Sequence, residues 1–278
     1  MVIFVIIVLV IIYICGNPIS ELYRNNQPIV IEVTKGLCNR LRVLNEYIKY
    51  ATIKNKKLVV IWKTDDECNG LFTDFFAPIE NVQFVKKNNL KLDLTYKGSN
   101  TYIGLCENKN KIIYSHNEVD IYNIDCNYNI LHKLKSSNIN KLKLLPYMQN
   151  IIDENIVKLN NNYIAIHVRR TDLLDKSYAK DGILKYNEYD KFLNKYKDYN
   201  IYIATDNYDT QQYFYKRYKN RIKVITEIKK NIHNNQRHTS LKHAIIDLYM
   251  CMNAKYFMGT SGSSFTTHIK NNMIKNRT

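Results

Sequence analysis

The stretch Tyr163-Ile164-Ala165-Ile166-His167-Val168-Arg169-Arg170-Thr171-Asp172 constrains the fold more than any other part of the chain. Apolar and rich in β-branched residues until His167, it reads as a strand covered on both faces, the pattern of parallel sheets flanked by helices. The abrupt change to arginine and aspartate marks where that strand leaves the sheet. In open α/β sheets ligands gather beyond the carboxyl ends of the strands, so His167, Arg169, Arg170 and Asp172 stand where a ligand would be met. Side chains on a strand alternate between faces, which groups His167 with Arg169 and turns Arg170 the other way. A guanidinium keeps its charge and presents a fork that matches phosphate, and Asp172 is near enough to hold one of the two forks. The alternative is an ordinary salt-bridge cluster at a strand end.

The first half of the chain opens with a strand, Pro28 to Val33, and a second from Lys57 to Trp62. Between them Leu41, Leu44, Ile48 and Ala51 share one face of a 3.6-residue period, the mark of a helix. Gly36 permits a tight strand-to-helix turn and Asn39 occupies the expected N-cap, so the turn Thr34 to Arg40 offers an anion or sugar site through Gly36, Asn39 and Arg40. It matches neither the dinucleotide fingerprint nor a P-loop, and a plain turn is the competing reading. Residues 63 to 80 read as a loop with a short helix, in which Asp65-Asp66-Glu67 is a solvated segment. Shorter strands are expected at 81 to 85, 100 to 104 and 111 to 115. From Cys126 to Leu145 the pattern dissolves, and Pro146 opens a linking helix through Ile156.

The second half repeats the alternation: helix Asn187 to Tyr196, strand Asn200 to Thr205, helix Tyr208 to Tyr218, strand Arg221 to Thr226, helix Ser240 to Asn253 and strand Lys255 to Met258. Strands alternating with helices of this length predict a parallel, doubly wound α/β sheet. The organisation that follows is a stem at 16–27, a Rossmann-like N-terminal lobe at 28–145 and a ligand-binding C-terminal lobe at 146–278. Asp206 stands at a strand's carboxyl end, as an N-cap or as a cleft residue, with the cap favoured. Asp247 falls at the edge of the apolar stripe Leu241, Ala244, Ile245, Leu248 and Met252, where a carboxylate needs a donor. The turn Gly259-Thr260-Ser261-Gly262-Ser263-Ser264-Phe265 aims backbone N–H groups and hydroxyls, Thr260, Ser263 and Ser264 among them, at an anion.

A net charge of +16 would suit nucleic acid or another anionic partner. The excess is scattered lysine with no block of like charge, so nucleic-acid binding is not expected. The cysteines at 15, 38, 68, 106, 126 and 251 form no C-x-x-C pair, which argues against structural zinc. Disulfides among Cys68, Cys106 and Cys126 would require a luminal setting. Residues 1–15 are apolar and uncharged and would span roughly 22 Å as a helix, short of the roughly 30 Å hydrocarbon core. They read as a short signal anchor, and Arg24 and Lys35 beyond it favour a cytosolic body.

In this order and at these separations, His167 to Asp172, Ile201 to Asp206, the helix carrying Asp247, and Gly259 to Phe265 resemble the fucosyltransferase superfamily that contains the α1,6-, α1,2- and protein O-fucosyltransferases. The resemblance covers residues 146 to 278 and, in the first lobe, the turn at Gly36 to Arg40. It implies a GT-B fold of two Rossmann-like lobes, GDP-fucose in the C-terminal lobe, a glycan or protein acceptor over the cleft, and no metal or other cofactor. Arg169 would then hold the β-phosphate, His167 and Asp247 the guanine end, and Thr260, Ser263 and Ser264 the diphosphate, with Arg170 and Asp172 in support. Cleavage of the sugar–phosphate bond puts charge on the leaving GDP, and without a divalent ion an arginine and a helix N-terminus must stabilise it. Relatives often carry a Glu beyond the arginine motif. This chain offers Asp175 and Asp181 as bases instead. The anchor resembles the type II arrangement of ER and Golgi enzymes, opposite to the orientation the flanking charges favour.

Overall fold

The computed structural model describes residues 28–85, 107–114, 117–124, 142–170, 185–226, 228 and 239–274. The expected anchor and stem, residues 1–27, lie outside them. Among the described residues no helix is long and apolar enough to cross a membrane.

The first sheet is built from β1 (Ile29–Val33), β2 (Leu58–Trp62), β3 (Val82–Val85), β4 (Glu107–Tyr114) and β5 (Asn117–Ile124), in the order β3-β2-β1-β5-β4. All neighbours are parallel except the β4–β5 hairpin at the edge. Helix α1 (Leu37–Ile53) joins β1 to β2 and buries Leu37, Leu41, Leu44 and Ala51. It begins earlier than expected: its N-cap is Gly36, whose carbonyl accepts from the amides of Asn39 at 3.0 Å and Arg40 at 3.2 Å. Asn39 is therefore no cap. It lies inside the helix, where its Oδ1 accepts from Arg42 Nη2 at 2.9 Å. The chain reversal falls one residue earlier still, at Lys35 with φ 69°, while Gly36 has an ordinary φ of −68°.

Helix α2 (Pro146–Lys158) opens the second half with proline in its first turn, where a missing amide is harmless. There follow β6 (Tyr163–Val168), α3 (Tyr186–Lys195), β7 (Asn200–Thr205), α4 (Tyr208–Tyr218), α5 (Leu241–Met252), β8 (Tyr256–Gly259) and α6 (Ser264–Asn272). Their sheet has the order β7-β6-β8 and is wholly parallel. Each of the six residues of the central strand β6 is buried, as its composition demands. Its odd residues Tyr163 and Ala165 join the core shared with β1, α1, α2 and α5, while Ile164, Ile166 and Val168 join a second cluster with Tyr189, Leu193 and Phe214. This alternation puts His167 on the side of the first half of the chain. Helix α6 then returns to pack on α1 and closes the molecule.

The register sets three strand ends level: His167 is opposite both Ala204 and Gly259, and Val168 is opposite Thr205. Arg169, Asp206 and Thr260 therefore emerge side by side.

Two expected elements differ. The strand expected at 111–115 starts at Glu107 and pairs with Asn117–Ile124, where no strand was expected; the one expected at 100–104 lies outside the described residues. Arg221 to Thr226 makes only one bridge, Ile201 to Ile222. The guanidinium of Arg221 instead closes the α3 end by donating to the carbonyls of Tyr199, Leu193 and Tyr196 at 2.8, 3.0 and 2.6 Å. Of the cysteines weighed for pairing, Cys68 is buried and Cys106 and Cys126 lie outside the described residues.

Candidate active site

A cleft opens where the carboxyl ends of the second sheet face the first turn of α1. Gly36, Leu37 and Cys38 form one wall, and His167, Arg169, Thr205, Asp206, Thr239, Ala244, Asp247, Ser264 and Phe265 form the other. Two helices, α1 and α6, aim their N-termini into it. Neither has a side-chain cap or an acidic residue in its first turn. Orphan helix amides left without side-chain acceptors favour anions.

The arginine pair divides as strand alternation requires. Arg169 lines the cleft with His167, its own amide anchored on Thr260 Oγ1 at 2.9 Å. Arg170 turns away, with its guanidinium 4.2 Å from the ring centre of Tyr186 and its amide donating to Asp206 Oδ1 at 2.8 Å. Asp206 thus lines the cleft and is not the cap of α4. That role belongs to Asn207, whose Oδ1 accepts from Thr210 N at 2.8 Å. The imidazole of His167 is fixed by Nδ1 on Thr266 Oγ1 at 2.8 Å and lies 4.7 Å from the Phe265 ring centre.

Thr260 does not face the cleft. Its hydroxyl is buried under the strand ends, bonding the Arg169 amide, Tyr189 Oη at 3.0 Å and the His167 carbonyl at 3.2 Å. It braces the arginine turn. Ser264 lines the cleft, whereas Ser263 is the buried N-cap of α6 and its hydroxyl has no hydrogen-bond partner among the described residues. Gly262 makes the preceding turn with φ 71°, and Gly259 lets β8 approach α6 so closely that a Cβ there would sit 2.6 Å from Thr266 Oγ1.

Arg40 departs furthest from expectation. It is wholly buried, forms a double hydrogen bond to Asp65 at 2.8 and 2.7 Å, and also donates to the carbonyls of Lys35 and Lys63. It therefore fastens the β1–α1 turn to the loop after β2, and Asp65 is its partner rather than part of a solvated run.

Asp247 is buried on the inner face of α5. Its Oδ1 accepts from Tyr202 Oη at 2.6 Å and Thr226 Oγ1 at 2.9 Å. Burial pushes its carboxyl up to about 7, with the two hydroxyls holding it down in part. Tyr202, Thr205, Thr226, Thr239 and Thr266 were not singled out from sequence. Tyr202, Thr205 and Thr226 lie within segments read as strands, but the partners of Thr226 and Thr266 lie tens of residues away and leave no local pattern. Asp172, Asp175 and Asp181 lie outside the described residues. Among the described residues no group of three His, Cys, Asp or Glu is arranged to hold a metal ion.

Chemically, the cleft combines a cation at Arg169, two uncapped helix ends and a carboxylate able to accept from N–H or O–H donors. These suit a ligand with an anionic centre and a polar base or sugar edge.

The comparisons with known proteins bear on family and fold. The family model described as GDP-fucose protein O-fucosyltransferase matches residues 37–273. A curated relative, GDP-fucose protein O-fucosyltransferase 2 of Plasmodium berghei (strain Anka), is 30% identical over 216 residues, which cover 63% of this chain and 42% of that protein. The chain thus spans less than half the length of the curated relative it matches. Among solved structures, NodZ α-1,6-fucosyltransferase co-crystallised with GDP is similar at TM-score 0.57 and 15% identity, covering 89% of this chain and 93% of the other. Fucosyltransferase NodZ from Bradyrhizobium is similar at TM-score 0.57 and 16% identity, with 89% and 94% covered. These likenesses show an α/β fold of the NodZ, GT-B-like kind. By the match of its family model along most of its length, the chain belongs to the GDP-fucose protein O-fucosyltransferase family.

Proposed function

We propose that this chain transfers fucose from GDP-fucose to a hydroxyl of a glycan or protein acceptor, with inversion and without a metal ion. The observation that carries the reading is the convergence of Arg169 and the uncapped N-termini of α1 and α6 on a cleft that also holds Asp247. As the bond between the sugar carbon and the β-phosphate oxygen breaks, its electron pair leaves with GDP. Arg169 and the helix amides stabilise that charge. The acceptor hydroxyl attacks from the opposite face and gives its proton to a base, for which Asp175 and Asp181 remain the candidates. His167 and Asp247 take the guanine end, Ser264 with the buried hydroxyl of Ser263 the diphosphate end, and Arg170 with Asp172 support the arginine turn. Residues 1–15 serve as the membrane anchor of a type II protein of the ER or Golgi.

One observation favours a second reading, a nucleotide or glycan binder without turnover. Both described carboxylates of the cleft are engaged, Asp206 by the Arg170 amide and Asp247 by two hydroxyls. Donor hydrolysis and transfer assays across glycan and protein acceptors separate the two.

The test of the leading reading is a thermal-shift panel in EDTA over GDP, GDP-fucose, UDP-sugars and CMP-sugars, followed by transfer assays on R169A. GDP and GDP-fucose should raise the melting temperature without added metal. R169A should lose about 10²–10³-fold in transfer, the usual loss for one oxyanion-stabilising group. Stabilisation by UDP- or CMP-sugars and not by GDP would assign another donor to the scaffold.

A further inference from the structure

Asp247 is a carboxylate held in an expensive way. It is buried at the cleft wall, and among the described residues no cation pairs with it; what it has are two hydroxyl donors, Tyr202 from β7 and Thr226. The Tyr202 and Thr226 oxygens are themselves 3.0 Å apart, so the three groups form a closed triangle. Gln211 of α4 fixes its far side by donating Nε2 to the Thr226 carbonyl at 2.7 Å. All four residues are buried, and Tyr202 wholly so.

A carboxylate oxygen has two lone-pair sites. Tyr202 and Thr226 fill both sites on Oδ1, which leaves Oδ2 as the oxygen available to a ligand. A core with no functional demand would place an apolar side chain here, since burying an uncompensated carboxylate is costly.

We propose that Tyr202 and Thr226 are positioning residues: by saturating one oxygen of Asp247 they fix the other as a directed acceptor, and so set the selectivity of the cleft for a base with adjacent N–H donors. Guanine has such an edge, with N1–H beside the 2-amino group, and hypoxanthine lacks the second donor. This deepens the donor reading above and rests on it. The same hydroxyls favour the ionised form of Asp247, which is the accepting form. Among the described residues, the other titratable or charged groups facing this part of the cleft are Cys251 on α5, His167 on β6, Arg169 after it, Asp206 after β7, and Cys38 across the gap on α1. Because the carboxyl titrates near 7 in the folded protein, GDP affinity should be full above that pH and fall as pH drops through it. Removing either hydroxyl donor moves this midpoint upward.

The experiment measures binding of GDP and IDP to wild type, Y202F, T226V and T226S between pH 5.5 and 9, together with KM and kcat for GDP-fucose. Wild type should prefer GDP to IDP. Y202F and T226V should each weaken GDP about tenfold at pH 7, as expected for loss of a hydrogen bond to a charged group. Both should narrow the preference over IDP, raise the pH midpoint and affect KM more than kcat, while T226S restores wild-type behaviour. If Y202F does not fold, the T226V and T226S pair decides. Variants that bind GDP with unchanged affinity and an unmoved midpoint, or that lose GDP and IDP equally, overturn the proposal. A wild-type protein that binds neither nucleotide fails the donor reading itself, whereas one that binds GDP indifferently to these substitutions fails only the positioning role.

Discussion

Two strand-to-helix turns meet across the cleft, and they solve one problem by different means. The β1–α1 turn reverses at Lys35, with φ 69°, and starts its helix from Gly36. The β8–α6 turn reverses at Gly262, with φ 71°, and starts from Ser263. Each leaves its helix end without a side-chain cap. Behind the first lies an ion pair, Arg40 with Asp65, and behind the second lie hydroxyls, Thr260 under Arg169 and Thr266 on His167. An arginine is thus a brace where it lies inside α1 behind the first turn and a cleft-lining group where it follows β6 beside the second, and its type alone does not decide which.

The sharpest way to break this contrast is to exchange the expected consequences of its two arginines. R40A takes the cation from Asp65, which keeps the amides of Glu67 and Cys68 on Oδ1, and leaves two carbonyls without their donor. Loss of one partner of a buried pair costs about 3–5 kcal/mol, towards the lower figure here because Asp65 is 26% exposed. Urea unfolding should show the loss as a lower midpoint. R169A should leave that midpoint almost in place and act on transfer. An R40A protein of native stability that fails to bind donor would reverse the assignment of the two residues.

A smaller effect separates the glycines of the second turn. A Cβ at Gly259 would meet Thr266 at 2.6 and 2.7 Å and Phe257 at 2.8 Å, so G259A should cost about 1–3 kcal/mol by overpacking and disturb the grip of Thr266 on His167. At Gly262 nothing lies within 4 Å, and only the left-handed backbone resists a side chain, for about 1 kcal/mol. Thermal unfolding of both variants checks the order, and GDP affinity should fall in G259A beyond what its stability predicts.

The second sheet was legible because burial on both faces writes itself into β6 as an apolar run, and because α5 carries its stripe at helical spacing. The alternation at His167, Arg169 and Arg170 followed from the same run. What escaped has a physical pattern of its own. The β4–β5 hairpin has residues such as Asn108, Lys109, Asn110 and Lys111 in its first strand, so no hydrophobic period announces it. Arg221 to Thr226 has strand-like side chains but leaves the sheet after one bridge. Asp65 looked solvated because its partner, Arg40, lies 25 residues away. Asn39 looked like a cap because it precedes an apolar helical face, yet the helix had already begun at the smaller Gly36.

The least expected effect is the most discriminating. Two helices of the second half start from serine: Ser240 caps α5 by accepting from His243 N at 3.2 Å, whereas Ser263 of α6 is buried with its hydroxyl unmatched. Replacing a capping serine by alanine typically costs about 1 kcal/mol, so S240A should lose roughly that much. S263A removes a hydroxyl that has no hydrogen-bond partner among the described residues, and its unfolding free energy should move by less than about 0.5 kcal/mol. If the diphosphate reaches that hydroxyl as proposed above, the stabilisation that GDP confers should nevertheless shrink in S263A and stay whole in S240A. If instead S263A is destabilised as much as S240A, the α6 terminus is closed by its own serine, and the anion must be held by Arg169 and the α1 turn alone.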